Sequence, residues 1–178
     1  MSPQPGQKPR YYGKYRGLVA NNVDDLHLGR ILAQVPALAG QTPLTWALPC
    51  VPVAGLQAGI FVIPPVGSQV WIEFEQGDPD YPIWTGGFWG NGSDVPSSAT
   101  SPPPITPGQN IVLQTTNQNM ILISDAAPSS STGGIILQSG KSTLVVNSTG
   151  IYISTGQGAL IKLVADTTDI NTGALTVK

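Results

Sequence analysis

The sequence predicts an all-β protein made of two unlike parts, a small closed barrel followed by a repetitive β segment. Three observations support this prediction. In residues 70–75 (VWIEFE) apolar residues alternate with others at the side-chain period of a β-strand. Gly and Pro contribute 21 and 17 of the 178 residues, which favours many turns and few long helices. Beyond residue 110, short apolar runs recur between Ser, Thr, Asn, Gln and Gly, as in proteins built from strand repeats.

Composition narrows the possible classes of protein. The formal net charge is only −2, and Cys50 is the one cysteine, so an intramolecular disulfide is impossible and the thiol is expected to be buried and inert. Residues 1–12 are polar and proline-rich without an apolar core, unlike a signal peptide. Every apolar stretch is too short to cross a bilayer. We therefore expect a protein that is assembled in the cytoplasm.

The N-terminal residues have the composition of a flexible arm. Residues 1–12 combine prolines with basic and tyrosine side chains, which could indicate nucleic-acid contact. Because the whole chain is slightly acidic, we favour a solvated arm that docks on a protein partner. Residues 15–22 and 30–35 then have strand character, and Asp24-Asp25 lies in the turn between them. No further carboxylates follow at calcium-loop spacing, so turn chemistry explains this pair better than a metal site.

A β-hairpin is predicted for residues 70–88. Residues 76–80 (QGDPD) interrupt the alternation, and each of these residue types except Gln favours a turn. Pro82 cannot donate a ladder hydrogen bond, so it must lie on an edge strand or at the start of a strand. Together with three upstream strands, the hairpin completes a barrel of five short strands, which we place at residues 13–92.

These segments resemble the OB-fold domain of contractile-tail spike proteins, which include the baseplate assembly protein V class of phages and the valine-glycine repeat (VgrG) spikes of type VI secretion. In that family an aromatic-acidic strand runs into Gly-Asp-Pro-Asp, followed by Pro, a hydrophobic residue and Gly. Residues 46–52 (WALPCVP) match a further segment of the phage members. The residues that carry the hairpin motif here are Trp71, Phe74, Gly77, Asp78, Pro79, Asp80, Pro82 and Gly86.

A Pro- and Ser-rich linker is expected at residues 93–109. Three consecutive prolines at 102–104 favour an extended polyproline conformation. Some members of the resembled family carry a glycosidase domain between the barrel and the needle, and this gap is too short to hold one.

Residues 110–178 contain only six charged residues, three Lys and three Asp. A single copy would have little core and unpaired strand edges, whereas three copies could cover one another. The resemblance implies the same arrangement: a trimeric needle in the form of an intertwined triple-stranded β-helix, below three OB barrels. The residues expected in the trimer core are Ile111, Leu113, Ile121, Ile123, Ile136, Val145, Ile151, Ile153 and Leu163.

The resemblance implies a structural function, the central spike of a contractile tail or contractile injection system. The homotrimer would attach to a baseplate hub protein at its OB end. It would pierce the envelope of the target cell, with transient contact to the membrane, when the sheath contracts. No cofactor is implied. Whether the particle is a phage, a bacteriocin or a cell-derived injection system stays open.

Two other functions are open at this stage. An OB module could bind nucleic acid through stacked aromatic residues, although the acidic side chains of the hairpin would repel phosphates. A receptor-binding fibre also uses trimeric β-structure, but the OB motif argues against it. Catalysis is not expected, because Glu73 and Glu75 have the spacing of a solvated strand face and His27 has no partner in a recognisable motif. The aromatic candidates for base stacking are Trp71, Trp84, Phe88 and Trp89.

The C-terminal end is expected to bind a separate tip protein. Some spikes of the resembled family bind iron at the tip through His-x-His pairs, but His27 is the one histidine of this chain, so no metal site is expected. Strand alternation continues to the last residue and leaves an open end that repeat proteins normally cap. In related machines a PAAR-repeat protein forms this cap, and the residues expected to bind it are Leu175, Val177 and Lys178.

Overall fold

The computed structural model describes residues 9–100 and 110–177. Strands account for nearly all of its regular structure, which confirms the all-β class. The chain divides into two compact units, Met1–Gly92 and Ser93–Lys178. Within the described residues no helix is long and apolar enough to cross a membrane.

The first unit contains a five-stranded sheet that curls as an OB fold does. The strands of this unit are β1 (Tyr15–Asn21), β2 (Leu32–Gln34), β3 (Leu48–Pro49), β4 (Ala54–Gly55), β5 (Ala58–Gly59), β6 (Gln69–Phe74) and β7 (Pro82–Phe88). Strands β4 and β5 form a separate two-stranded hairpin, and the other five form the sheet. The sheet order is β2-β1-β6-β7-β3, and only the β3–β7 pair is parallel. Bridges from Ile31 to Ala47 and from Gln34 to Pro43 connect the two ends of this order, so the sheet closes on itself. One helical turn, α1 (Pro36–Ala39), follows β2 and begins at a proline, which the first turn of a helix tolerates.

Strand β6 supplies the centre of the barrel core. Its residues alternate between buried and half-buried, because successive side chains of a strand point to opposite faces. Val70 and Ile72 are fully buried and Phe74 nearly so, which confirms the predicted alternation. Pro82 is the first residue of β7, one of the two positions that proline allows. The buried cluster comprises Val19, Ile31, Ala33, Val35, Ala47, Val70, Ile72, Phe74 and Trp84.

Residues 9–12 contact the hairpin, unlike the free arm expected from the sequence. The backbone N–H of Tyr11 donates to the carbonyl of Gly77 at 2.8 Å. The guanidinium of Arg10 donates to the carboxylate of Asp78 at 3.2 Å. This part of the expected arm is therefore bound to the chain's own barrel, and the residues before it lie outside the described residues.

Cys50 is exposed, so the expectation of a buried thiol was wrong. The residue follows the two-residue strand β3 directly, and its backbone N–H donates to the Trp84 carbonyl at 2.9 Å. The backbone is thereby held beside β7 while the thiol reaches solvent. The general tendency of cysteine to be buried does not apply to a residue just beyond the end of a short strand.

The second unit is an eight-stranded antiparallel meander. Its strands are β8 (Asn110–Gln114), β9 (Met120–Ser124), β10 (Gly134–Ser139), β11 (Ser142–Asn147), β12 (Gly150–Ser154), β13 (Leu160–Val164), β14 (Thr167–Ile170) and β15 (Leu175–Val177). Each strand pairs with its neighbour in sequence, so the order runs from β8 to β15 without a crossover. The hydrogen-bond ladder is therefore formed within one chain, and other copies can meet only the faces and the edges of this sheet.

Part of the expected linker is ordered beside β8. A 3-10 turn at Ser97–Ala99 contacts the start of the sheet. The side-chain amide of Asn110 donates to the Ser98 carbonyl at 3.1 Å, and the Ser98 hydroxyl donates to the Gln114 side-chain oxygen at 2.8 Å. This turn therefore belongs to the second unit, while residues 101–109 of the expected linker lie outside the described residues.

Candidate trimerisation surface

One face of the second sheet is apolar through all eight strands. The strand register aligns residues of the eight strands into two rows on this face, which we call the apolar face. Thr168 is the one polar residue in either row. The first row contains Ile111, Ile123, Ile135, Val146, Ile151, Leu163 and Thr168, and the backbone of Val177 pairs with Thr168. The second row contains Leu113, Ile121, Leu137, Leu144, Ile153, Ile161, Ile170 and Leu175.

The apolar face is open in a single chain. Ile111 on the first strand is 62% exposed, and Ile135 in the middle of the sheet is still 46% exposed. A contiguous exposed apolar surface of this extent marks a site of protein contact, because scattered single residues are normal and large patches are not. Neither row contains a charged residue, so an equally apolar partner can cover the face without desolvating a charge.

The opposite face carries a small core that belongs to the single chain. Its buried residues follow one another across four neighbouring strands. Further along the same row, Lys162 and Asp169 form an ion pair at 4.0 Å, so this face becomes charged toward the C terminus. The buried residues are Leu122, Ile136, Val145 and Tyr152, with Val112 and Met120 packed against them.

The residues expected in the trimer core are divided between these two faces. Seven of the nine lie on the apolar face, and their place in a trimer core stays a prediction. Ile136 and Val145 lie on the opposite face, where a single chain already buries them. Successive side chains of a strand point to opposite faces, so in three consecutive apolar residues the first and third share one face and the second lies on the other. This alternation is the sequence signal that separates the two groups. The residues of the apolar face that sequence reasoning missed are Ile135, Leu137, Leu144, Val146, Ile161 and Ile170.

The predicted tip-binding residues belong to the last strand. Strand β15 pairs with β14 on one side, and its other side is an edge of the sheet. Leu175 is exposed on the apolar face, and Val177 pairs in register with Thr168. Lys178 lies outside the described residues. Binding of a tip protein at this edge stays a prediction.

A strongly organised charged cluster lies in the loop between β1 and β2. The Asp24 carboxylate accepts backbone N–H bonds from Leu26 at 3.0 Å, Leu28 at 2.8 Å and Arg30 at 3.2 Å. It also accepts the Nε–H of Arg30 at 2.9 Å, and that guanidinium lies 5.1 Å from the ring centroid of Trp46. The Arg30 hydrogen bond, with help from the backbone N–H groups, holds the pKa of Asp24 well below its ordinary value of 3.8. Asp24 therefore organises the loop, in agreement with the predicted turn chemistry.

The aromatic residues considered for base stacking are not gathered on one platform. Trp84 lies in the barrel core and donates its indole N–H to a backbone carbonyl at 3.0 Å. Trp71 lies against Phe88 with ring centroids 4.6 Å apart, and the Arg16 guanidinium covers both rings at 5.7 Å and 5.2 Å. Trp84 therefore cannot stack on a base without opening the core.

Two acidic residues of the hairpin, Glu73 and Asp78, accept hydrogen bonds within the first unit. Lys14 donates to the Glu73 carboxylate at 2.9 Å and to the Thr85 hydroxyl at 3.1 Å. The Asp78 carboxylate accepts the Asp80 N–H at 3.1 Å in addition to the bond from the N-terminal segment. Within residues 9–100 and 110–177, no three His, Cys, Asp or Glu side chains come together as a metal site requires.

The two units match two protein families. Residues 15–89 match the type VI secretion system and phage-baseplate injector OB domain. Residues 110–176, which bear the apolar face, match the phage baseplate V C-terminal trimerisation domain. None of the curated proteins compared with this chain matches it. Both matched families are domains of baseplate spikes, and together they span most of the chain, so this protein belongs to the baseplate V family of spike proteins found in phage tails and type VI secretion systems.

Proposed function

We propose that three copies of this chain form the central spike of a contractile tail or contractile injection system, with their apolar faces turned toward a common axis. The observation that supports this arrangement is the pair of apolar rows that runs through all eight strands of the trimerisation domain. Three sheets around a threefold axis cover one another's apolar faces and leave the charged Lys162–Asp169 pair outside. Closed symmetry also limits the assembly to three copies.

The trimerisation domain suits a part that carries mechanical load. Within each chain, a continuous ladder of backbone hydrogen bonds joins all eight strands. Association of three chains adds the burial of two apolar rows per chain, which opposes local opening of the sheet. We propose that the OB end binds the baseplate hub and that sheath contraction drives the needle through the target envelope. The spike would be assembled in the cytoplasm and would touch the target membrane transiently, and this function requires no bond-breaking chemistry.

Light scattering and microscopy test this proposal. Multi-angle light scattering of the purified full chain should give three times 18.6 kDa. Electron cryomicroscopy of the native particle should show three chains on the particle axis, with the OB domains against the hub. A folded monomer in light scattering, or a location away from the axis, would contradict the proposal.

We also propose that the C-terminal edge of the needle binds a PAAR-repeat tip protein. The support is the edge strand β15, whose exposed Leu175 continues the second apolar row to the end of the sheet. A pull-down with the full-length spike should recover a small metalloprotein, and a spike that lacks residues 173–178 should lose it. Light scattering of the shortened spike checks that the trimer is retained. A particle map in which the needle ends bare at Lys178 would count against this partner.

A further inference from the structure

The first unit carries an exposed apolar segment to which the spike function proposed above assigns no role. Residues 52–62 (PVAGLQAGIFV), called the apolar arm below, contain no charge and only Gln57 as a polar side chain. Every residue of the arm is exposed, and Leu56 between strands β4 and β5 is 96% exposed. Single exposed apolar residues are ordinary, but a contiguous set of them marks a contact site.

The apolar arm is rooted in the barrel, while its outer part stands free. At its base, the side-chain amide of Asn22 donates to the Pro64 carbonyl at 3.1 Å, and the backbone N–H of Cys50 is bound to β7. The Phe61 ring lies beside Gly29 in the loop between β1 and β2 of the same chain. The outer part is the β4–β5 hairpin, in which only two residues of each strand are paired. An isolated two-stranded hairpin is at best marginally stable in water. A surface that covers the hairpin would therefore stabilise its conformation.

A second exposed apolar surface lies on the loop between β1 and β2. Val23, Leu26 and Leu28 are all exposed there, although the Asp24 carboxylate holds the loop in one conformation. Phe61 joins this loop to the base of the arm, so each copy offers the projecting arm tip at Leu56 and, beside the arm's base, the exposed apolar side chains of the loop. Two unlike surfaces on one chain are what a head-to-tail contact requires, and such a contact closes into a ring when the rotation between copies is threefold.

We propose that the apolar arm of each copy packs against the OB domain of the neighbouring copy, so that the three OB domains are clasped into a closed ring. This inference rests on the trimeric spike proposed above. The trimerisation domain holds three OB domains on one assembly, so the effective concentration of a neighbouring copy is on the order of millimolar. An uncharged arm also has the composition of a permanent contact between identical chains, since contacts with transient partners are more polar.

Thiol labelling measures whether the arm tip is covered in the intact trimer. Leu56→Cys and Gln41→Cys are prepared separately in the full chain with Cys50→Ser, and Gln41 serves as the control because it is polar, exposed and outside the arm. In a single chain both positions are open, so both thiols should react with a maleimide at similar rates. In the clasped ring the thiol at position 56 should react about tenfold or more slowly, which corresponds to a contact worth at least about 1.4 kcal/mol.

Photo-cross-linking identifies what covers the arm. A benzoylphenylalanine in place of Leu56 in the full-length spike should produce covalent dimers and trimers on a denaturing gel, with the link placed by mass spectrometry in the OB domain of another copy. Light scattering of the same sample separates loss of the trimer from a free arm in an intact trimer. Equal labelling rates in an intact trimer, links only within one chain, or links only to a hub protein or to lipid would overturn the inference.

Discussion

The adjacent residues Ile135 and Ile136 separate assembly from chain folding. They follow one another on β10, and the register places them on opposite faces of the sheet. Ile135 is 46% exposed on the apolar face, whereas Ile136 is 5% exposed in the single-chain core. An aspartate at position 136 buries an unpaired charge in every chain, while an aspartate at position 135 buries one only when three chains meet. We therefore expect Ile135→Asp to give a folded chain that does not trimerise, and Ile136→Asp to unfold the second unit.

Alanine substitutions at the same two positions give effects whose size follows from burial. Complete burial of an isoleucine side chain contributes roughly 1.5–3 kcal/mol. Since Ile135 is 46% exposed in one chain, covering it contributes about 0.7–1.4 kcal/mol per chain and about 2–4 kcal/mol per trimer. Ile135→Ala removes most of this and should weaken trimer association roughly 30- to 1000-fold. Ile136→Ala should instead lower the free energy of unfolding of each chain by about 2–5 kcal/mol.

Two measurements distinguish these outcomes. Sedimentation equilibrium over a dilution series reports trimer association, and urea unfolding followed by far-ultraviolet circular dichroism reports the stability of the β-structure. Thr168→Val is a control with the opposite expected effect on trimer association, because it removes a hydroxyl from the apolar rows and should strengthen the trimer. The assignment of Ile135 to the trimer contact and of Ile136 to the single-chain core is refuted if Ile135→Asp still sediments as a trimer, or if Ile136→Asp folds as well as the parent chain.

The remaining predictions concern pH, a strained turn and catalysis. The lowered pKa of Asp24 means that its ionised form stabilises the fold above the ordinary value of 3.8, and this contribution is lost as the pH falls toward the folded-state value. In urea unfolding, Asp24→Asn should therefore be less stable than the parent at neutral pH and approach it in strong acid; a constant difference across pH would contradict this. Ala165 has a φ of 51° in the turn from β13 to β14, so Ala165→Gly should raise the free energy of unfolding by up to about 1 kcal/mol, and no gain in urea would argue against strain there. Peptidoglycan zymograms should show no clearing, and a clearing zone that disappears in Glu73→Gln would establish hydrolysis instead.

Local features of the fold followed from the sequence by itself. The alternation in residues 70–75, the turn at 76–80 and the strand start at Pro82 depend on side-chain period and turn chemistry, which act over a few residues. The hairpin motif is equally local, so the family resemblance is visible in the order of the residues. The change in composition beyond residue 110 likewise indicated that an OB part is followed by a different part suited to trimerisation.

Tertiary structure alone decided which apolar residues face a partner and which face the chain's own core. A run such as Ile135-Ile136-Leu137 satisfies burial on either face, and a shift of register by one residue would exchange the two. Only the pairing of β10 with β9 and β11 determines that Ile136 joins the single-chain core and Ile135 joins the apolar face. The exposure of Cys50 and of the apolar arm could not be predicted from the sequence for the same reason. Burial at these positions depends on contacts between residues far apart in the chain, and local sequence does not specify those contacts.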